Sequence, residues 1–345
     1  MTLRSEIFEQ PAVLERLLRT QRAAAGEIAE AIQRRGVRSV FIAARGSSDN
    51  AAVYGKYLWG SLNALPVALA APSLFTVYRT PPRLDGSLVI GVSQSGQSPD
   101  IVGVVEEGRR QGALTLAITN DSASPLAAAA DMVLDTGAGP ELAVAASKTY
   151  TAQLLAIALL CAASRDDAGL FSELERVPAL VEEALGLDHV IASAAERYRY
   201  MDQCVVLGRG FNYATAYEWS LKLKELSYVV AEPYSSTDFR HGPVAIVGDG
   251  FPVLAVAPAG AVFDDALALL ETLSAEHRAE LLVVSNEDRA LALARTGLRL
   301  PRDLPEWLSP LVAIVPGQLF SYHLTRAKGY DTENPRRLRK VTRTL

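Results

Sequence analysis

Ser87-Leu88-Val89-Ile90-Gly91-Val92-Ser93-Gln94-Ser95-Gly96-Gln97-Ser98-Pro99-Asp100 decides the fold. The run from Leu88 to Val92 is apolar, short, and bounded by hydroxyls and a glycine, which fits a strand buried on both faces. Pro99 suits the first turn of a helix, where no backbone N–H is missed. Behind it, from Asp100 to Gln111, Ile101, Val104, Val105 and Gly108 fall on one helical face. The unit reads strand, turn, helix. It recurs on either side: Ser39–Ala44 runs into Arg45-Gly46-Ser47-Ser48, and Leu114–Thr119 ends at Asn120-Asp121. Strands alternating with helices predict an α/β fold with a parallel sheet covered on both faces.

The second half repeats the plan. Aligning Gly46 with Gly210 gives an offset of 164, which also carries Val89–Val92 onto Val253–Val256. An offset of 166 carries Asn120 onto Asn286. Matches in order at nearly constant spacing predict two copies of one domain. The expected boundaries are 1–165 for the first domain with its N-terminal helix, 166–200 for a helical linker, 201–330 for the second domain, and 331–345 for a C-terminal tail. The copies differ at the turn, where Ser93-Gln94-Ser95-Gly96 falls opposite Ala257-Pro258-Ala259-Gly260. The second turn lacks hydroxyls, and Pro258 removes a donor. An anion site is therefore expected on the first copy alone.

Composition narrows the function. The chain has 345 residues, 49% hydrophobic, with a formal net charge of −5. That length suits about two domains. No basic cluster points to nucleic acid or an anionic membrane, and no apolar stretch is long enough to span a bilayer. The opening Met1-Thr2-Leu3-Arg4-Ser5 lacks the apolar segment of a leader, and Cys161 and Cys204 read as reduced core thiols. A cytoplasmic location is expected.

The serine turn has the chemistry of a phosphate site. A helix start offers free N–H groups and the positive end of its dipole. In a parallel sheet it lies at the carboxyl end of a strand, where ligands bind. The plainer reading is an N-capping turn without a ligand. Glu218, Lys222 and Glu225 are spaced i, i+4 and i+7, so a continuous α-helix would carry them on one face. An exposed ion-pair ladder gives the same spacing, but the apolar neighbours Trp219, Leu221, Leu223 and Leu226 favour burial. Of the four histidines, only His241 precedes Gly-Pro, a turn able to present it. His189, His277 and His323 read as surface or core residues.

The serine turn with Ser98 resembles the signature of sugar isomerase (SIS) domains. Glu141–Tyr150, Glu218–Glu225, Phe239–Pro243, Pro335–Lys340 and the opening Glu6–Pro11 resemble further motifs of double-SIS proteins. The isomerase half of glucosamine-6-phosphate synthase is one such protein, and stand-alone SIS-type glucosamine-6-phosphate deaminases are another. Arg45-Gly46-Ser47-Ser48-Asp49, Ser98-Pro99-Asp100-Ile101 and the ending Lys340–Leu345 lean toward the deaminases. A synthase needs an N-terminal cysteine nucleophile, and position 2 here is Thr2, so no glutaminase is expected.

The resemblance implies two three-layer αβα sandwiches, each with a flavodoxin-like parallel sheet. It implies phosphate binding by Ser48, Ser93, Gln94, Ser95 and Ser98, with Gly46, Ser47 and Val144 against the sugar. Glu225 would be the base moving a proton between C1 and C2, and His241 would open the ring. Lys340 would contact the sugar near C1 or C2, where the synthase type forms a Schiff base. Glu218 and Lys222 would orient Glu225. No cofactor and no metal are implied. The partner implied is a second copy, a homodimer with His241 contributed in trans. The reaction implied is glucosamine 6-phosphate to fructose 6-phosphate and ammonia. The alternatives are a deglycase for fructosamine 6-phosphates and a non-catalytic sugar-phosphate regulator. One departure concerns the sugar pocket: Ala146 stands where the synthase pattern has a hydroxyl residue.

Overall fold

The computed structural model describes residues 2–340. Ten strands form two sheets. In chain order the first five are β1 (Ser39–Ala43), β2 (Val67–Leu69), β3 (Ser87–Ser93), β4 (Leu114–Thr119) and β5 (Met132–Asp135). They are followed by β6 (Gln203–Gly208), β7 (Val230–Ser235), β8 (Pro252–Val256), β9 (Glu280–Ser285) and β10 (Thr296–Arg299). The first sheet has the order β2-β1-β3-β4-β5; the second, read from its far edge, is β7-β6-β8-β9-β10. Every pairing is parallel. The two orders are the same order, so the chain is a duplicated doubly wound sheet with one reversal of strand order per copy.

Burial explains the strands. β3 and β4 are buried at every position, as central parallel strands with helices on both faces must be. The helix Pro99–Arg110 buries Asp100, Ile101, Val104, Val105 and Gly108. Gly108 lets the helix approach closely: a Cβ there would stand 2.9 Å from Val89. The helix Lys148–Arg165 is apolar nearly all round, and the helices Gln10–Arg34 and Ser47–Asn63 pack on it. Among the described residues no helix is long and apolar enough to cross a membrane.

The chain forms two compact units whose boundary is crossed several times. The unit with the first sheet holds residues 9–141 and 146–176 and takes in Arg339 and Lys340. The unit with the second sheet holds 142–145 and 177–338 and takes in the helix Leu3–Phe8. This differs from the sequence reading, which put the opening helix with the first copy. The stretch 166–200 holds three helices, Ala168–Glu175, Val177–Leu185 and Asp188–Arg197. The first of these belongs to one unit and the other two to the second. In the second unit Glu6 fixes the opening helix by accepting the N–H groups of Leu142 and Ala143, at 2.5 and 3.2 Å.

Candidate active site

In the first unit the strand order reverses between β1 and β3, which pair side by side with Ala43 opposite Gly91. Their carboxyl ends carry Arg45-Gly46-Ser47-Ser48 and Ser93-Gln94-Ser95-Gly96, so the topology brings the two hydroxyl-rich segments together at the ligand-binding crevice of such sheets. Gly96 adopts a left-handed φ of 61°. Ser93 Oγ accepts its N–H at 3.1 Å, and Ser95 Oγ accepts that of Gln97 at 3.3 Å. Ser98 precedes the helix Pro99–Arg110 in extended conformation, and its side chain makes no capping bond. That hydroxyl is not spent on the helix, contrary to a plain N-capping turn. Ser48 and Ser93 are buried; Gln94, Ser95, Ser98 and Ser47 are half-buried, and Gly46 is exposed.

Two neighbours that the sequence reading did not select complete this mouth. Arg45 Nε donates to Asp100 Oδ2 at 2.8 Å, tying the end of β1 to the first turn of the helix after β3. Asp100 is wholly buried and Arg45 is half exposed.

Lys340 lies in the same unit. Its Nζ donates to Glu141 Oε2 at 2.5 Å. Glu141 is buried and also accepts from the N–H groups of Ser147 and Thr149, at 3.0 and 3.1 Å, and from Thr149 Oγ1 at 2.7 Å. Burial by itself would raise its pKa. The charge of Lys340 and these hydrogen bonds outweigh it and hold the carboxyl below its usual value. The remainder of the tail, 341–345, lies outside the described residues. Val144 is half-buried in the stretch that belongs to the second unit.

In the second unit the helix Tyr213–Lys222 carries Glu218 and Lys222, but it does not continue as an α-helix to Glu225. A π turn, Leu223–Ser227, follows and stops at Tyr228 in the left-handed region. The expected uninterrupted helical face is corrected to an α–π junction. Such π segments recur at functional sites. The three side chains still meet. Lys222 Nζ donates to Glu225 Oε2 at 2.6 Å and lies 3.4 Å from Glu218 Oε1. Glu218 and Lys222 are buried, whereas Glu225 keeps 23% of its side-chain surface. The triad is no exposed ladder, and only its last carboxylate opens to solvent. Trp219 secures the helix: it packs edge-on to Phe320 at 5.9 Å and sits against Gly317, where a Cβ would stand 2.9 Å from its ring.

His241 caps the short helix Ser236–Arg240 and is exposed. The segment 233–238 before it is the end of β7 and the start of that helix, with Pro233 opposite Val206. β7 is an edge strand, where a proline costs no central ladder bond. His323 Nε2 pairs with Asp188 Oδ1 at 2.7 Å, His277 Nδ1 lies 3.2 Å from the Val247 carbonyl, and His189 is exposed.

The SIS domain model matches this chain twice, over residues 35–163 and 199–326. The chain belongs to the SIS-domain family. It is 34% identical over 348 aligned residues to the glutamine–fructose-6-phosphate aminotransferase [isomerizing] of Thermus thermophilus, covering 97% of this chain and 57% of that protein. The double-SIS chain thus spans a little over half of such curated relatives. Two solved structures share its fold at a TM-score of 0.86. One is the C-terminal domain of glucosamine-fructose-6-phosphate aminotransferase from Francisella tularensis, 30% identical, covering 96% of this chain and 98% of that one. The other is a candidate phosphosugar isomerase from Silicibacter pomeroyi DSS-3, 35% identical, covering 96% and 100%.

Proposed function

We propose that this SIS protein converts glucosamine 6-phosphate to fructose 6-phosphate and ammonia. The observation that carries the reading is the Glu218–Lys222–Glu225 triad, in which a buried lysine holds one carboxylate at a solvent-open position. A proton transfer between neighbouring carbons needs such a fixed base. The serine turn at the strand-order reversal supports phosphate as the handle.

His241 assists ring opening to the C1 aldehyde. Glu225 takes the C2 proton, and the C1 oxygen gains one, giving an enolamine. Protonation at C1 and loss of a proton from nitrogen give the C2 imine. Water adds at C2 and ammonia leaves, so one water is consumed per ammonia released. Lys340 is the amine on hand to engage the open ketose. In its present pairing with Glu141 it serves as a cation.

The test is ammonia release over a panel of amino-sugar 6-phosphates and fructosamine 6-phosphates, in deuterated water. Glucosamine 6-phosphate should yield ammonia and deuterium at C1 of the product. Glu225→Gln should retain substrate binding and lose the exchange. Release only from fructosamine 6-phosphates would replace the deaminase by a deglycase. No turnover of any member would leave a regulator.

A further inference from the structure

We propose that Arg45 is the cation of the phosphate site and that Asp100 aims it. The inference rests on the sugar-phosphate reading and adds a residue to it.

Charge motivates the proposal. A phosphate monoester carries close to two negative charges near neutral pH, and the serine turn offers it only hydroxyls and amides. A helix start contributes about half a positive charge. Asp100, buried in the first turn of that same helix, would repel the ligand unless neutralised. Arg45 neutralises it, and does so economically. Only Nε is engaged. The two terminal nitrogens have no partner among the described residues, on a side chain that is half exposed. A guanidinium anchored at one nitrogen presents its remaining donors as a fork, which matches a phosphate edge.

The second repeat supplies an internal control. At the offset of 164, Arg209 stands for Arg45 and Ala261 for Gln97. Arg209 again ties a strand end to the following helix, through Asp265. There, however, it spends a terminal nitrogen, Nη1, on the carboxylate, which Arg240 also contacts. The N–H of Ala261 donates to the Glu306 carboxylate at 2.8 Å, beside Gly260 in positive φ. An acidic side chain of the chain itself therefore occupies the donor that corresponds to Gln97. The turn geometry thus accepts an anion oxygen in one copy. In the other copy the Gln97 N–H is accepted by the neutral Ser95 Oγ at 3.3 Å, and among the described residues no carboxylate bonds it and the arginine fork makes no hydrogen bond. The repeat that lost its serines has an acidic side chain at its own anion position; the repeat that kept them has only neutral hydroxyls there, with a cation at the mouth.

Calorimetric titration of inorganic phosphate and of glucosamine 6-phosphate tests this on the full chain. Arg45→Gln should weaken both by about ten- to one-hundred-fold, the value of a charge-assisted bond in a partly buried site. Arg45→Lys should recover part of the loss, because it restores charge without the fork. The parent protein's affinity should fall with added salt more steeply than that of Arg45→Gln. The proposal is overturned if Arg45→Gln, shown folded by circular dichroism, binds phosphate like the parent while Ser93→Ala/Ser95→Ala does not. The arginine would then be a strap only, and the phosphate turn would stand. If neither variant loses affinity, the phosphate turn itself falls and takes the proposal with it. Should Arg45→Gln fail to fold, the salt series on the parent decides: affinity independent of ionic strength sinks the idea.

Discussion

Among the described residues Lys340 is held by one carboxylate, that of Glu141, and a carboxylate is costly to bury alone. Desolvation by burial would raise the pKa of Glu141, and Lys340 together with the backbone N–H groups of Ser147 and Thr149 outweighs it and holds the value down. The sign follows. A carboxyl whose folded pKa lies below its unfolded value stabilises fully above about pH 4.3, and the contribution is lost as pH falls through the lower folded value. Glu141→Gln should therefore melt below the parent at neutral pH, with the gap narrowing on acidification. It should also lose activity, since Lys340 loses its anchor. Deleting the chain after Leu338 should lower the melting temperature too, by leaving Glu141 buried without its cation. Equal melting curves across the acid range would show that the pair contributes nothing. Glu141 was visible in the sequence only as the first letter of a motif. Its partner lies 199 residues away, and no local pattern reports such a contact. Arg45 and Asp100 were hidden in the same way, because their bond crosses from one strand end to the next.

At the scale of elements, the serine turn is built around one glycine. Gly96 has φ of 61°, and a Cβ there would lie 2.1 Å from Ser124 Oγ. Ser124 cannot yield freely, because its Oγ accepts from the Ala127 N–H at the start of the helix Pro125–Ala129. Gly96→Ala thus combines left-handed strain of about 1–2 kcal/mol with a clash. We expect it to destabilise the unit by about 2 kcal/mol or more in urea unfolding and to weaken phosphate binding in parallel. A loss of stability with unchanged phosphate affinity would detach the turn from ligand binding. The strands β1, β3 and β4 were legible because burial on both faces writes a continuous apolar run. β2, three residues long, and β10, with alternating exposure, write no such run. The π turn was invisible for another reason. Glu218, Lys222 and Glu225 meet in either helix type, so their spacing could not reveal the change of pitch after Lys222.

At the scale of the whole molecule, the two copies carry different residues at corresponding places. The first copy keeps the serine turn, and the second carries Glu225 and His241. The homodimer implied by the family resemblance is a proposal, and the state of His241 supports it. His323 and His277 are engaged within their own chain, at Asp188 and at the Val247 carbonyl. His241 is exposed, at the end of a helix of five residues followed by Gly242 with φ of 127°. In the proposed dimer the short helix and its glycine turn would supply the reach. An exposed histidine placed this way can serve a neighbour across a two-fold axis. Subunit mixing tests it. Glu225→Gln and His241→Ala chains, each inactive, are unfolded together and refolded. With His241 acting in trans, each mixed dimer has one site with an intact Glu225 and an intact histidine from the other subunit. Random pairing makes about half of the dimers mixed, so about a quarter of parental activity should return. With His241 acting in its own chain, every site carries one lesion and none returns. Mixed dimers that form, as shown by differential tags, and stay inactive would assign His241 to its own subunit.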